Sequence, residues 1–175
     1  MDSGSRGKFS NTSFGRNYAD SNGGGILLAI NRWVSVSKGR KPSYLLLFSS
    51  ATFVDCHFHD NLSGSKGGSI GMIDNTEAHF HSCRIERSQA SGSGGSIYLD
   101  DGSKFFLLHS ELLSGSALSR GGAIYAAGHC QLLVDYSLVD SNSASTGAGG
   151  AVLLQDSALA IFTNSVFSVR GITPL

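Results

Sequence analysis

No charge of either sign dominates this chain of 175 residues: thirteen lysines and arginines balance thirteen aspartates and glutamates. Without a net field there is no long-range pull on nucleic acid or on an anionic membrane, and both are set aside as partners. No stretch approaches the ~18 consecutive apolar residues of a membrane span. The start, Met1-Asp2-Ser3-Gly4-Ser5-Arg6-Gly7-Lys8, lacks the apolar run of a secretory signal. Cysteine is scarce. Cys56, Cys83 and Cys130 are odd in number and lack metal-ligand spacing, which excludes a closed disulfide framework. Threonine is too sparse for the flat ladders of an ice-binding face. No phosphate-cradling loop, dinucleotide fingerprint or nucleophile elbow occurs, and the glycine pairs are not followed by a helical pattern.

Glycine is what the chain has in excess, at 23 of 175 residues with only two prolines. Its glycines are spaced rather than scattered. Gly23-Gly24-Gly25-Ile26, Gly67-Gly68-Ser69-Ile70, Gly94-Gly95-Ser96-Ile97, Gly121-Gly122-Ala123-Ile124 and Gly149-Gly150-Ala151-Val152 follow one another at steps of 44, 27, 27 and 28 residues. Such a constant period is the mark of a stacked repeat. Together with 41% hydrophobic residues it excludes a flexible linker.

Apolar columns keep step with the glycines. One holds Phe14, Phe58, Ile85, Leu112 and Leu138, the last set two residues further from its glycine, and is followed by a polar corner at Asn17, Asn61, Ser88, Gly115 and Ser141. A second holds Phe53, Phe80, Leu107, Leu133 and Ile161, with Cys56, Cys83, Ser110, Tyr136 and Asn164 between the two. After the glycines come Ile26, Ile70, Ile97, Ile124 and Val152, each beginning a third short run. Alternation over so few residues reads as strand. A unit this small cannot bury its face alone, but it can by coiling, each strand pairing in parallel with its copy one period on. The predicted fold is all-β: a right-handed parallel β-helix (solenoid) of about six coils of ~27 residues, with three short strands per coil. It fills 1–175 as a single domain and reads as part of a longer chain. Gly67, Gly68, Gly94, Gly95, Gly121, Gly122, Gly149 and Gly150 are turn residues, supplying positive φ and close approach of coils. Asn17 and Asn61 mark the polar corner.

The 44-residue step places an inserted loop at 31–50 carrying Arg32, Trp33, Lys38, Arg40, Lys41 and Tyr44. Two readings stay open. It is either a hydrophobic flap packed on the coil, or a binding loop whose aromatic and basic residues hold an acidic sugar or other anion. Cys56 and Cys83 lie one period apart, which in-register stacking would bring to ~4.8 Å. Two buried thiols and a disulfide of unusual geometry both fit that spacing.

These glycine tetrads, with Phe14-Gly15-Arg16-Asn17 and Phe58-His59-Asp60-Asn61, resemble the GGxI and FxxN repeats of chlamydial polymorphic outer-membrane proteins, within the broader pectate-lyase-like β-helix class. The likeness runs over about residues 9–170, and its FxxN element decays to Ile85-Glu86-Arg87-Ser88. It implies an extracellular, usually adhesive β-helical passenger on a C-terminal membrane barrel. Neither the barrel nor a signal is present in this sequence.

Chemistry is sparse on the strand after the glycines. Of its outward residues only Asp100 is acidic, with Asp74 and Asp101 in the turn beyond, a pattern of turn hydrogen bonding more than of a catalytic pair. Tyr98 over Tyr125 is either a sugar-stacking platform or an ordinary cross-strand pair. His57 and His59 flank Phe58 while His79 and His81 flank Phe80, so the two pairs leave different faces and share no metal. His57, Arg84 and Glu111 form an outward ladder of charge. The candidate ligand-binding residues are Arg32, Trp33, Arg40, Lys41, Tyr44, Tyr98, Tyr125 and Asp100; no catalytic residue, metal or cofactor is expected. The reading is a non-enzymatic module for adhesion or structural interaction, presenting a rigid face to a protein or glycan of a cell surface or matrix. One alternative is a carbohydrate-binding or -cleaving β-helix with an acidic groove. Another is a structural subunit that stacks on other β-helix chains through open ends. An extracellular or cell-surface location follows if the chain is a fragment of a secreted protein, and a cytoplasmic one if it is complete.

Overall fold

Each turn of the chain is a four-sided coil, and its corners are the key to its shape. The computed structural model describes residues 6–29, the backbone of 44–46, and 50–168. The first turn consists of β1 (Arg6–Ser10), β2 (Ser13–Gly15), β3 (Tyr18–Ala19) and β4 (Ile26–Leu28), followed by the extra strand β5 (Tyr44–Leu46). Next come β6 (Ser50–Val54), β7 (His57–His59), β8 (Leu62–Ser63) and β9 (Ile70–Met72), then β10 (Glu77–His81), β11 (Arg84–Glu86), β12 (Gln89–Ala90) and β13 (Ile97–Leu99). The following turn is β14 (Lys104–Leu108), β15 (Glu111–Leu113), β16 (Ser116–Ala117) and β17 (Ile124–Ala126). After it come β18 (Gln131–Asp135), β19 (Leu138–Asp140), β20 (Ser143–Ala144) and β21 (Val152–Leu154), and finally β22 (Leu159–Thr163) and β23 (Val166–Ser168). Strands of equal length stack in parallel into four sheets: A from β1 to β22, B from β2 to β23, C from β3 to β20, and D from β5 and β4 to β21. This is a right-handed parallel β-helix.

Left-handed residues turn the chain at each corner. Asn11, Asp55, Ser82, His109, Tyr136 and Asn164 take positive φ between sheets A and B, and Arg16, Asp60, Arg87, Ser114 and Ser141 do so between B and C. Short polar side chains tolerate this region best, which accounts for most of these positions. Between C and D the first glycine of each pair has positive φ, 67° at Gly67 and 68° at Gly94. The second glycine serves close approach: a Cβ on Gly95 would lie 2.0 Å from the Gly122 carbonyl oxygen of the next turn.

Two expectations about the coil are corrected. There are four strands per turn, not three, because the two-residue strands of sheet C occupy what reads in sequence as a polar corner and small-residue turn. The count of about six coils also falls, since β22 and β23 supply only half a turn among the described residues. The columns of the later turns shift by one residue. Leu107 pairs with Val134 and then Phe162, not with Leu133 and Ile161, which face outward. Leu112 pairs with Val139 instead of Leu138. Asn142 and not Ser141 occupies the polar corner, where its Oδ1 accepts from the Gly115 N–H at 2.7 Å. The extra length before Gly149 is therefore one residue, not two.

The interior is stacked like on like. Phe9 lies over Phe53 at 5.0 Å, Phe53 over Phe80 at 4.6 Å, and Phe14 over Phe58 at 4.6 Å. At the A–B corner the column is Cys56, Cys83, Ser110, Ser137 and Ser165; Tyr136 and Asn164 are the exposed left-handed residues beside it. Cys83 Sγ donates to the carbonyls of His81 and Phe53 at 3.3 and 3.4 Å. Ser137 Oγ makes the matching bonds to Asp135 and Leu107 at 2.8 and 3.3 Å. Thiol and hydroxyl thus perform one task. All three cysteines are free and buried, and burial pushes the Cys83 thiol up to about 11. At the B–C corner, Asn61 Nδ2 donates to Phe14 O at 2.8 Å and to Ser69 Oγ at 3.0 Å, while its Oδ1 accepts from Asn17 N–H at 3.0 Å. No helix among the described residues is long and apolar enough to cross a membrane.

Candidate functional site

The outward columns follow from the register, and sheet A presents the largest of them. Arg6, Ser50, Glu77 and Lys104 form one row across β1, β6, β10 and β14; Lys8, Thr52, His79 and Phe106 form the next. A shallow depression of about 820 Å³ lies over this part of the sheet, closed on one side by Asn75 and Gly102 of the turns and on the other by His81 and Leu108. Alternation along five-residue strands is what aims these side chains at solvent while Ala78, Phe80, Phe105 and Leu107 fill the interior. Glu77 accepts from His79 Nε2 at 2.7 Å, and the His79 ring stacks on Phe106 at 4.4 Å with 3° between the planes. Arg6, Lys8 and Lys104 are exposed and pair with no carboxylate among the described residues. Arg6 and Lys104 outnumber Glu77 in its lining, so the depression is net cationic.

Sheet B carries a denser set of charges, but they neutralise one another. Glu86 is buried among His57 at 3.1 Å, Arg84 at 2.7 Å and Arg87 at 2.6 Å. Burial alone would raise its pKa; the bonds from Arg84, Arg87 and His57 outweigh that and hold it below the usual glutamate value. Arg87 also bonds Asp60 at 2.7 Å, and Arg84 reaches Glu111. Hydrogen bonds from Arg87 and His59 hold the Asp60 carboxyl well below the carboxylate range. The outward ladder of His57, Arg84 and Glu111 is present in this register, as a closed network.

The sequence-predicted residues fall in two places. Arg32, Trp33, Arg40 and Lys41 lie outside the described residues, as does the side chain of Tyr44; the backbone of Tyr44–Leu46 pairs with β4 at the edge of sheet D. Tyr98, Tyr125 and Asp100 come together on the outer side of sheet D. The Tyr98 and Tyr125 rings stack at 5.6 Å and 10°. Tyr98 is only 2% exposed, so its ring is packing surface, and Tyr125 keeps partial exposure. The Tyr98 hydroxyl accepts from Lys66 Nζ at 2.9 Å and donates to Asp100, while Tyr125 donates to Gln155 at 3.0 Å. Burial first, then the Asp100 carboxylate, raises the Tyr98 pKa. His57 and His59 lie on sheet B and His79 and His81 on sheet A, and no group of three or more potential metal ligands forms among the described residues. The sheet A row is inconspicuous in the sequence because Arg6, Ser50, Glu77 and Lys104 share no residue type. The steps of 44, 27 and 27 from Arg6 to Ser50, Glu77 and Lys104 were the signal available. Scans against family models, curated proteins and solved structures each return no match for this chain.

Proposed function

We propose that the chain is a non-enzymatic interaction module of a secreted or cell-surface protein, and that the outer face of sheet A is where its partner binds. The observation behind this reading is the cationic depression on sheet A, whose Arg6 and Lys104, like Lys8 in the neighbouring row, have no carboxylate partner among the described residues. Several carboxylates on the outer faces are turned to structural use instead: Glu77 to His79, Glu86 and Asp60 to arginines, Asp100 to Tyr98. The likeness to chlamydial adhesive passengers supports an extracellular role. Immobilised protein is expected to retain cell-surface or matrix material in a salt-dependent way, and the double substitution Arg6→Glu, Lys104→Glu to release it. Unchanged retention would exclude sheet A as the binding face, and release of reducing ends from an added polysaccharide would show an enzyme.

A second reading has its own observation. Phe162 and Phe167 belong to the inward columns yet are 42% and 41% exposed on the last strands. We propose that this end takes a further β-helix turn from another chain. Sedimentation at rising concentration should show association; a monomer throughout would exclude it.

A further inference from the structure

The outer face of sheet A changes character halfway along the axis. From β1 to β14 it carries the cations Arg6, Lys8 and Lys104, with Glu77 between them on β10. The row of Lys8, Thr52 and His79 runs on through Phe106 of β14 to Leu133 and Ile161, with Leu159 beside Ile161 on β22. Leu159 and Ile161 are 60% and 52% exposed although neither is an inward residue left bare by a missing turn. A shallow apolar groove of about 130 Å³ runs between these side chains. A contiguous apolar patch bordered by unpaired charge marks a recognition surface.

We infer that this face docks an extended protein segment, acidic at one end and aliphatic at the other, lying along the helix axis. The inference rests on the assignment of sheet A as the interaction face. Charge complementarity sets the acidic end over Arg6, Lys8 and Lys104. The aliphatic end fits the Leu133–Ile161 groove. Six strands at ~4.8 Å spacing extend ~24 Å, which about seven residues of extended chain would span. A glycan fits less well, because sugars stack on open aromatic faces. Phe106 has one face covered by His79, and apart from Gln131 the rest of the groove is leucine and isoleucine side chain.

A phage-displayed random dodecapeptide library selected on the immobilised protein tests this, with a chondroitin sulfate hexasaccharide as the parallel glycan probe. Enriched peptides should combine Asp or Glu with Leu, Ile or Val. Their affinity should fall about tenfold or more on Lys104→Glu and, separately, on Leu133→Asp. Both substitutions are on outward side chains, and circular dichroism and melting confirm the fold of each. Peptides without acidic residues, or no enrichment while the hexasaccharide binds and is lost with Lys104→Glu, would overturn the partner class and leave the face standing. Peptides that bind equally to both variants would overturn the face as well.

Discussion

The two ends of the solenoid treat equivalent residues differently. Leu28 and Leu154 occupy one column, yet they are 0% and 36% exposed. Leu28 lies on β4, which pairs with β9 on one side and β5 on the other, whereas among the described residues the β21 of Leu154 has only β17. Burial here is not a property of a repeat position. For Leu28 it comes from having a strand on both sides, as expected where each unit touches only its neighbours.

The glycine pairs give the sharpest way to break that comparison. A Cβ on Gly95 would lie 2.0 Å from the Gly122 oxygen and 2.5 Å from the Ser116 backbone, but one on Gly150 would meet nothing among the described residues nearer than the Asn142 oxygen at 3.8 Å. Gly95→Ala should therefore cost more than about 4 kcal/mol, or prevent folding. Gly150→Ala should change stability by less than ~0.5 kcal/mol, helped by a less flexible unfolded chain. Urea denaturation of the pair decides it, and equal losses would mean that the last turn is covered. If a second chain stacks on this end, Gly150→Ala should melt normally yet abolish the association, because its Cβ projects where the incoming carbonyl must sit.

Phenylalanines of one column offer the same contrast in apolar terms. Phe80 is fully buried and stacked on Phe53, while Phe162 is half exposed. Phe80→Ala is expected to cost about 3–5 kcal/mol and Phe162→Ala about 1 kcal/mol, since the second removes little surface from water that was ever excluded. Comparable midpoint shifts in thermal melts would contradict the nearest-neighbour account.

Much of this was legible in the sequence, for reasons the coordinates make physical. Parallel stacking puts like on like, so the 27-residue step from Phe53 to Phe80 to Leu107 showed the parallel coil directly. The same rule failed where several apolar residues adjoin: in Leu132-Leu133-Val134 hydropathy alone does not tell inward from outward, and Leu133 was read one position out of register. The fourth strand was invisible because two residues such as Gln89-Ala90 carry no periodicity, and their pairing with Leu62-Ser63 exists only once the coils are stacked. The candidate surface was hidden for another reason. Arg6, Ser50, Glu77 and Lys104 are unlike one another, and only the register makes them neighbours.

Electrostatics distinguish the middle turns in the same way. Glu86 draws Arg84 and Arg87 from its own turn and His57 from the one before. Its folded pKa is depressed, so its contribution to stability is full above the ordinary glutamate range and is lost as pH falls through the folded value. The melting temperature should drop on acidification below about pH 4, and Glu86→Gln should reduce that drop while lowering stability at neutral pH. A variant whose acid profile matches the parent would show that Glu86 is not responsible.

The smallest effect concerns a missing rung inside the stack. Asn61, Ser69 and Ser88 form a chain of hydrogen bonds, with Ser69 and Ser88 hydroxyls 2.6 Å apart. One turn on, the position of Ser88 is taken by Gly115, and the fully buried Ser96 Oγ has no partner among the described residues. Leaving a buried hydroxyl unbonded costs roughly 1–3 kcal/mol, and the equivalent residue in the next turn is already Ala123. Ser96→Ala should accordingly be neutral or stabilise by about 1 kcal/mol, against the loss that a buried serine with partners shows on the same change. Ser69→Ala supplies that contrast, because its hydroxyl bonds both Asn61 and Ser88. Should Ser96→Ala prove as costly as Ser69→Ala, an ordered water must be completing the rung, and the interior would be as fully bonded there as in the turns below.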